Sequence, residues 1–231
     1  MRVLTGTSGF SYKAWKGSFY PEDLPDSEML RFYSSRLQAV EINNTFYRMP
    51  RAALLQNWAE QVPDGFAFAL KATQQITHRK RLKDAAETVS FFLQVATTLG
   101  DRLGPVLFQL PPNLKKDVGR LTDFLALLPP TCRAAFEFRH ESWFDDEVLR
   151  ALSSTRAALC WAEDDELAAP HESTAAWGYL RLRRSEYSAA DLGAWAERIR
   201  GQAWSEAYAF FKHEDAGTGP RLADELRALL A

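Results

Sequence analysis

The sequence has little cysteine, no long hydrophobic run and no excess of either charge. Its two cysteines, Cys132 and Cys160, each lie in an apolar stretch; two isolated thiols make no disulfide framework and lack metal-ligand spacing. They read as reduced core residues of a cytoplasmic protein. Uninterrupted apolar runs stop at five or six residues, Phe124–Leu128 among them, whereas a membrane span needs roughly 20. No apolar h-region follows Met1, since the chain enters Val3-Leu4-Thr5-Gly6 directly, so no secretory signal is expected. With 28 Lys and Arg against 30 Asp and Glu, the formal net charge is −2. That excludes a global positive field for nucleic acid and leaves only a local patch.

The common catalytic signatures are missing as well. No Gly-x-Ser-x-Gly elbow and no Walker loop occurs. The turn after the first apolar run reads Gly6-Thr7-Ser8-Gly9-Phe10, without the third glycine of a dinucleotide fingerprint. The four histidines, His78, His140, His171 and His213, form no paired zinc motif. His140, Glu163, Asp164, His213 and Asp215 fall near expected strand ends. A divalent metal is therefore the minority alternative, and no cofactor is expected.

What is present suffices for a core: 46% of the 231 residues are hydrophobic and 25% charged. Eight short apolar runs read as strands: Val3–Gly9, Ala39–Thr45, Phe66–Thr73, Gly104–Pro111, Arg133–Arg139, Ala157–Glu163, Trp177–Arg183 and Ala207–His213. Helical patterns separate them over Ser27–Leu37, Arg51–Gln61, Leu82–Leu99, Asp117–Leu128, Asp145–Leu152, Ala189–Arg200 and Pro220–Leu230. Only Glu163–Ala176 lacks a convincing helix. This alternation in one chain predicts an α/β fold, a single TIM (β/α)8 barrel over residues 1–231 with an irregular segment after strand six. An open doubly wound sheet is the alternative.

Parallel strands covered on both faces should be apolar throughout, and these are not. Successive side chains alternate between faces. Glu41 and Asn43 oppose Val40 and Ile42. Ala67, Ala69 and Lys71 oppose Phe66, Phe68 and Leu70. Leu107 and Gln109 oppose Val106 and Phe108. Ala135, Glu137 and Arg139 oppose Phe136 and Phe138. Tyr179, Arg181 and Arg183 oppose Leu180 and Leu182. In a barrel the second set faces the lumen and turns polar toward the C-terminal mouth, where sites are built. Glu41, Lys71, Gln109, Glu137, Arg139, Arg181 and Arg183 are thus expected in one ring. A self-satisfied ion-pair network closing the barrel is the structural alternative.

Several motifs carry a family likeness: Ser8-Gly9-Phe10-Ser11-Tyr12 with Trp15, Gly17 and Phe19-Tyr20-Pro21; Glu41-Ile42-Asn43-Asn44-Thr45-Phe46-Tyr47; Ile76-Thr77-His78; Gln109-Leu110-Pro111-Pro112; and Phe136-Glu137-Phe138-Arg139-His140 with Ser142-Trp143. Together they resemble the YecE-like family, also called domain of unknown function 72, from about Thr5 to Pro220. The resemblance implies a TIM barrel with its site at the strand C-termini. It supplies no activity, only fold-level comparison with endonuclease IV and sugar isomerases. The text Phe211-Lys212-His213-Glu214-Asp215 departs from the Asn-rich stretch of many relatives, so roles at that corner do not carry over.

Glu41 and Glu137 are the paired carboxylates that could divide acid and base roles, with Lys71 as third catalytic candidate. The anion-holding cations are Lys71, Arg139, Arg181 and Arg183, joined by His78 and the run Arg79-Lys80-Arg81-Leu82-Lys83 at an expected helix start. Ser8 and Gly9 would offer backbone donors; Asn43 and Gln109 would orient hydroxyl or carbonyl groups. Phe10, Tyr12, Trp15, Tyr47 and Trp143 could stack bases or pack as core, and His140 and Lys212 complete the expected substrate contacts. The leading expectation is a hydrolase or isomerase for a small anionic, phosphate-bearing sugar, nucleotide or nucleic-acid substrate. A non-catalytic nucleic-acid-binding module is the rival, and a metal-dependent endonuclease or isomerase is the third reading.

Overall fold

Strands of four to seven residues alternate with helices, and that pattern closes into a barrel. In the computed structural model of the chain, which describes residues 1–163 and 167–231, the strands run β1 (Arg2–Ser8), β2 (Ala39–Ile42), β3 (Ala67–Lys71), β4 (Leu103–Gln109), β5 (Ala134–Glu137), β6 (Ala158–Glu163), β7 (Trp177–Leu182) and β8 (Glu206–Phe211). They pair in chain order into one closed sheet, β8 returning to β1, and every pairing is parallel. The helices are α1 (Met29–Ser34), the single turn α2 (Asn44–Tyr47), α3 (Ala52–Gln61), α4 (Ala86–Ala96), α5 (Val118–Leu125), α6 (Asp146–Thr155), α7 (Ala189–Arg200) and α8 (Thr218–Leu230). Among the described residues none lies between β6 and β7, as expected of that segment, and no helix is long and apolar enough to cross a membrane.

The period-two reading of the strands holds in space. Val40, Phe66, Phe68, Leu70, Val106, Phe108, Phe136, Phe138, Leu180 and Leu182 belong to the large cluster between sheet and helices. Ala39, Ala67, Ala69, Leu107, Ala135, Ala158 and Tyr179 fill the lumen. That inner cluster sets alanines from β2, β3, β5 and β6 against Trp177, Tyr179, Tyr208 and Phe210 from β7 and β8. Small side chains set against large ones fill a tapering interior.

The helix expected from Leu82 begins only at Ala86. Gln75–Arg79 forms a π turn, and Arg81, Leu82 and Asp84 have positive φ of 49°, 68° and 50°. The basic run therefore lies in a strained turn, tied by Lys80 Nζ donating to the Asp84 carbonyl at 2.6 Å. Its cations therefore do not sit at the helix start expected for them.

Candidate active site

The lumen-facing positions at the ends of β1, β2, β3, β5 and β7 carry the polar set. Glu41 and Glu137 are fully buried and Arg181 is 2% exposed. Arg181 reaches both acids: Nη2 and Nε donate to Glu41 Oε1 at 2.8 and 3.1 Å, and Nη1 donates to Glu137 Oε2 at 2.5 Å. Glu41 also accepts from Ser8 Oγ at 2.8 Å and from the Tyr179 hydroxyl at 2.7 Å. Ser8 and Glu41 are register partners on β1 and β2, so the strand pairing itself brings that hydroxyl to the carboxylate. Glu137 further meets Arg139 Nε at 2.5 Å and Arg183 Nη2 at 3.3 Å.

Both carboxylates stay ionised. Burial opposes the charge on Glu137, but Arg181, Arg139 and Arg183 outweigh it and hold the carboxyl down to about 2. Burial likewise opposes the charge on Glu41, which Arg181, Tyr179 and Ser8 still lower. With both carboxyls lowered, their surroundings do not set one apart as an acid and the other as a base. Neither carboxyl holds a proton near neutrality, and each is saturated with donors.

Lys71 differs from its neighbours. Among the described residues no carboxylate lies within ion-pair distance of its Nζ, which sits 4.2 Å from the centre of the Phe46 ring. Burial, followed by the charge of Arg181, lowers it to about 8, against the pull of Glu137 and Glu41. The turn α2 builds this platform. Thr45 Oγ1 donates to the Lys71 carbonyl at 2.6 Å, which tucks Phe46 beneath the amine and turns Tyr47 outward, 72% exposed. His78 stands edge-on to the same ring at 4.8 Å and bonds Thr77 Oγ1 through Nδ1 at 2.9 Å. Burial, then Lys71 and Arg81, lower its pKa, so the imidazole is neutral at pH 7.

The remaining expected contacts divide. Asn43, Gln109, Tyr12 and His140 are half-buried and Lys212 is exposed; His140 Nδ1 accepts from the Ser142 N–H at 3.1 Å. Trp15 and Trp143 are completely buried and cannot stack on a ligand. Trp15 packs among Tyr12, Phe19 and Tyr20. Trp143 lies on Phe138, nearly parallel at 4.8 Å, and donates its indole N–H to the Leu114 carbonyl at 2.6 Å. Of the two expected backbone donors there, the Gly9 N–H already donates to the Thr7 carbonyl at 3.1 Å, and the Ser8 hydroxyl is spent on Glu41. Tyr179 and Phe46 were missing from the expected contacts. Tyr179 shares the strand parity of Arg181, which was the available signal. Phe46 had none, because its role depends on α2 folding back over β3.

Among the described residues no three His, Cys, Asp or Glu side chains are grouped to hold a metal ion; Asp164 lies outside the described residues. The Glu163 carboxylate instead accepts from the Tyr187 hydroxyl and the Trp195 indole, at 2.9 and 3.1 Å.

These features define an all-parallel (β/α)8 barrel whose C-terminal mouth converges on one buried guanidinium. Residues 4–231 match the family described as "Protein of unknown function DUF72", and the chain belongs to that family. The UPF0759 protein YecE of Escherichia coli strain K12 is 31% identical over 116 residues, 50% of this chain and 43% of that protein. YunF of Bacillus subtilis strain 168 is 29% identical over 152 residues, 62% of this chain and 54% of that one. The matched stretches thus span about half the length of these curated relatives. In three dimensions a DUF72 family protein from Thermotoga maritima MSB8 superposes with a TM-score of 0.89 at 27% identity, covering 100% of this chain and 99% of that one.

Proposed function

We propose that the protein is an enzyme acting on a small anionic, phosphate-bearing substrate, with Lys71 as the group that moves a proton. One observation carries this reading. In a mouth where the buried carboxylates are matched by arginine, the Lys71 amine is left without an anionic partner among the described residues and is pushed to about 8. An amine near the working pH is suited to general acid–base work. Arg139 and Arg183, with side chains 19% and 12% exposed, would hold the anion beside it, and neutral His78 would relay the proton. Arg181, Glu41 and Glu137 are positioning residues in this scheme, since their charges are consumed by one another.

Two measurements test it. Inorganic phosphate should raise the melting temperature of the wild type and leave Arg183→Gln unmoved. Turnover in a screen of phosphorylated sugars and nucleotides should show a pH limb near 8 in the wild type and should be lost in Lys71→Met. Phosphate-independent melting, or turnover that survives Lys71→Met, sinks the proposal.

A nucleic-acid-binding module is the second reading, favoured by Tyr47 standing 72% exposed beside exposed Arg48 and Arg51. Oligonucleotide affinity falling steeply with salt, and weakened by Tyr47→Ala, would support it.

A further inference from the structure

A cavity of about 440 Å3 adjoins the charged mouth, between the turn after β1, the end of β2 and helix α3. Half of its polar lining is carboxamide, Asn43 and Asn44 beyond β2 and Asn57 and Gln61 on α3, and Ser11, Tyr12 and Ser27 add hydroxyls. Phe10 and Trp58 form an aromatic wall, edge to face at 6.0 Å. Asp26, the one ionised residue of the lining among the described residues, is engaged by Lys16 at 3.3 Å.

Asn43 Oδ1 is buried there without a hydrogen-bond partner. A buried orphan acceptor costs free energy that a ligand donor would return. Gln61 Nε2 donates to Asn57 Oδ1 at 2.7 Å, which orients both amides and leaves the Asn57 amide N–H groups and the Gln61 carbonyl outside that bond. A carboxamide donates and accepts at once, as a sugar hydroxyl does. Aromatic faces cover the C–H surface of a sugar ring. A second phosphate or carboxylate would find no free cation here and would face Asp26.

We infer that this cavity binds the neutral sugar ring of the substrate whose anionic group lies against the mouth cations, an inference that rests on the reading of the mouth given above. The two compartments share a wall. Tyr12 lines the cavity and donates to the Ser8 carbonyl at 2.6 Å, while the Ser8 hydroxyl donates to Glu41 at 2.8 Å. Asn43 lies two residues beyond Glu41. In this inference the substrate runs past Tyr12 and Asn43, with its ring among the amides and its anionic group toward the cations.

Isothermal titration of the full chain with pentose and hexose monophosphates, inorganic phosphate, and free ribose and glucose tests this. At least one sugar phosphate should bind about tenfold or more tighter than inorganic phosphate. Because Asn44 and Asn57 are exposed, the pair Asn44→Ala with Asn57→Ala should fold normally. It should remove that advantage and leave the phosphate affinity unchanged. Sugar phosphates no tighter than phosphate, or an advantage that survives in the double variant, overturn the inference. If neither phosphate nor sugar phosphates bind, the anion reading of the mouth fails by itself. Free sugars then decide the cavity: binding that the double variant abolishes upholds it, and no binding overturns it.

Discussion

One guanidinium organises the mouth. Arg181 is buried between two carboxylates that would otherwise repel one another, and a buried pair broken from one side leaves an uncompensated charge. Arg181→Met should cost about 3–5 kcal/mol in chemical denaturation. Adding Glu41→Gln and Glu137→Gln should restore most of that loss, whereas a role in binding alone would predict three small, additive effects. Lys71 makes the opposite prediction. Its ammonium is disfavoured in the folded state, where it titrates at about 8 instead of 10.5. Below pH 8 the lysine is charged in both states and the cost is fully present. Between pH 8 and 10.5 the folded protein sheds the proton first, and the cost fades. Lys71→Met should therefore stabilise the protein at pH 7, by on the order of 1 kcal/mol once solvent screening is allowed for, with the gain shrinking above pH 8. A destabilised Lys71→Met would show the amine to be a structural partner instead. A charged group kept at a cost in stability is what a working site leaves behind.

The strands were legible in the sequence because their period is two and the barrel follows it, apart from a register shift between β3 and β4 where Phe68 faces Leu103 and Leu70 faces Val106. Glu41, Lys71, Glu137, Arg139, Arg181 and Arg183 could be placed on one face before any coordinates, from parity alone. The segments after the strands were not legible. Nothing local distinguishes Tyr47, turned to solvent by α2, from Trp143, drawn under Phe138 by a 3-10 turn over Glu141–Trp143. Those directions are set by long-range contacts such as the bond from Thr45 to β3. Helix ends failed where their stop signals were absent. The end of α6 was expected at Leu152, yet the helix continues to Thr155 and is capped by Arg156 in the left-handed region, φ 61° and ψ 23°. Glycine is the residue that position favours. Arg156 is exposed, so Arg156→Gly should relieve the strain without loss of packing. The expected gain is about 0.5–1 kcal/mol, read as a melting temperature higher by roughly 2–4 °C per kcal/mol for a chain of this size.

Across the whole molecule, the two ends of the barrel are closed by different means. At the N-terminal end Glu206 joins Arg2, Arg133 and Tyr208. Arg2 and Arg133 are half or more exposed, with side chains 57% and 51% accessible, and exposed pairs contribute little. At the C-terminal end the ions are buried, so the pH dependence of the fold should come from the mouth. The sign follows from Glu137. Its carboxyl is depressed from 4.5 to about 2 on folding, so the stabilisation is complete above pH 4.5 and is lost as pH falls from 4.5 through 2, where the unfolded chain binds a proton the folded one refuses. The loss attributable to this one group is roughly 3 kcal/mol, and Glu41 adds to it in the same direction. Stability measured by denaturant titration should therefore fall steeply between pH 4.5 and 2. In the triple variant Arg181→Met, Glu41→Gln, Glu137→Gln that slope should flatten, even where its stability at pH 7 matches the wild type, because the two carboxylates buried at the mouth among the described residues can no longer be protonated. An unchanged acid slope would locate the titrating groups elsewhere in the barrel and remove the mouth network as the charge centre of the fold.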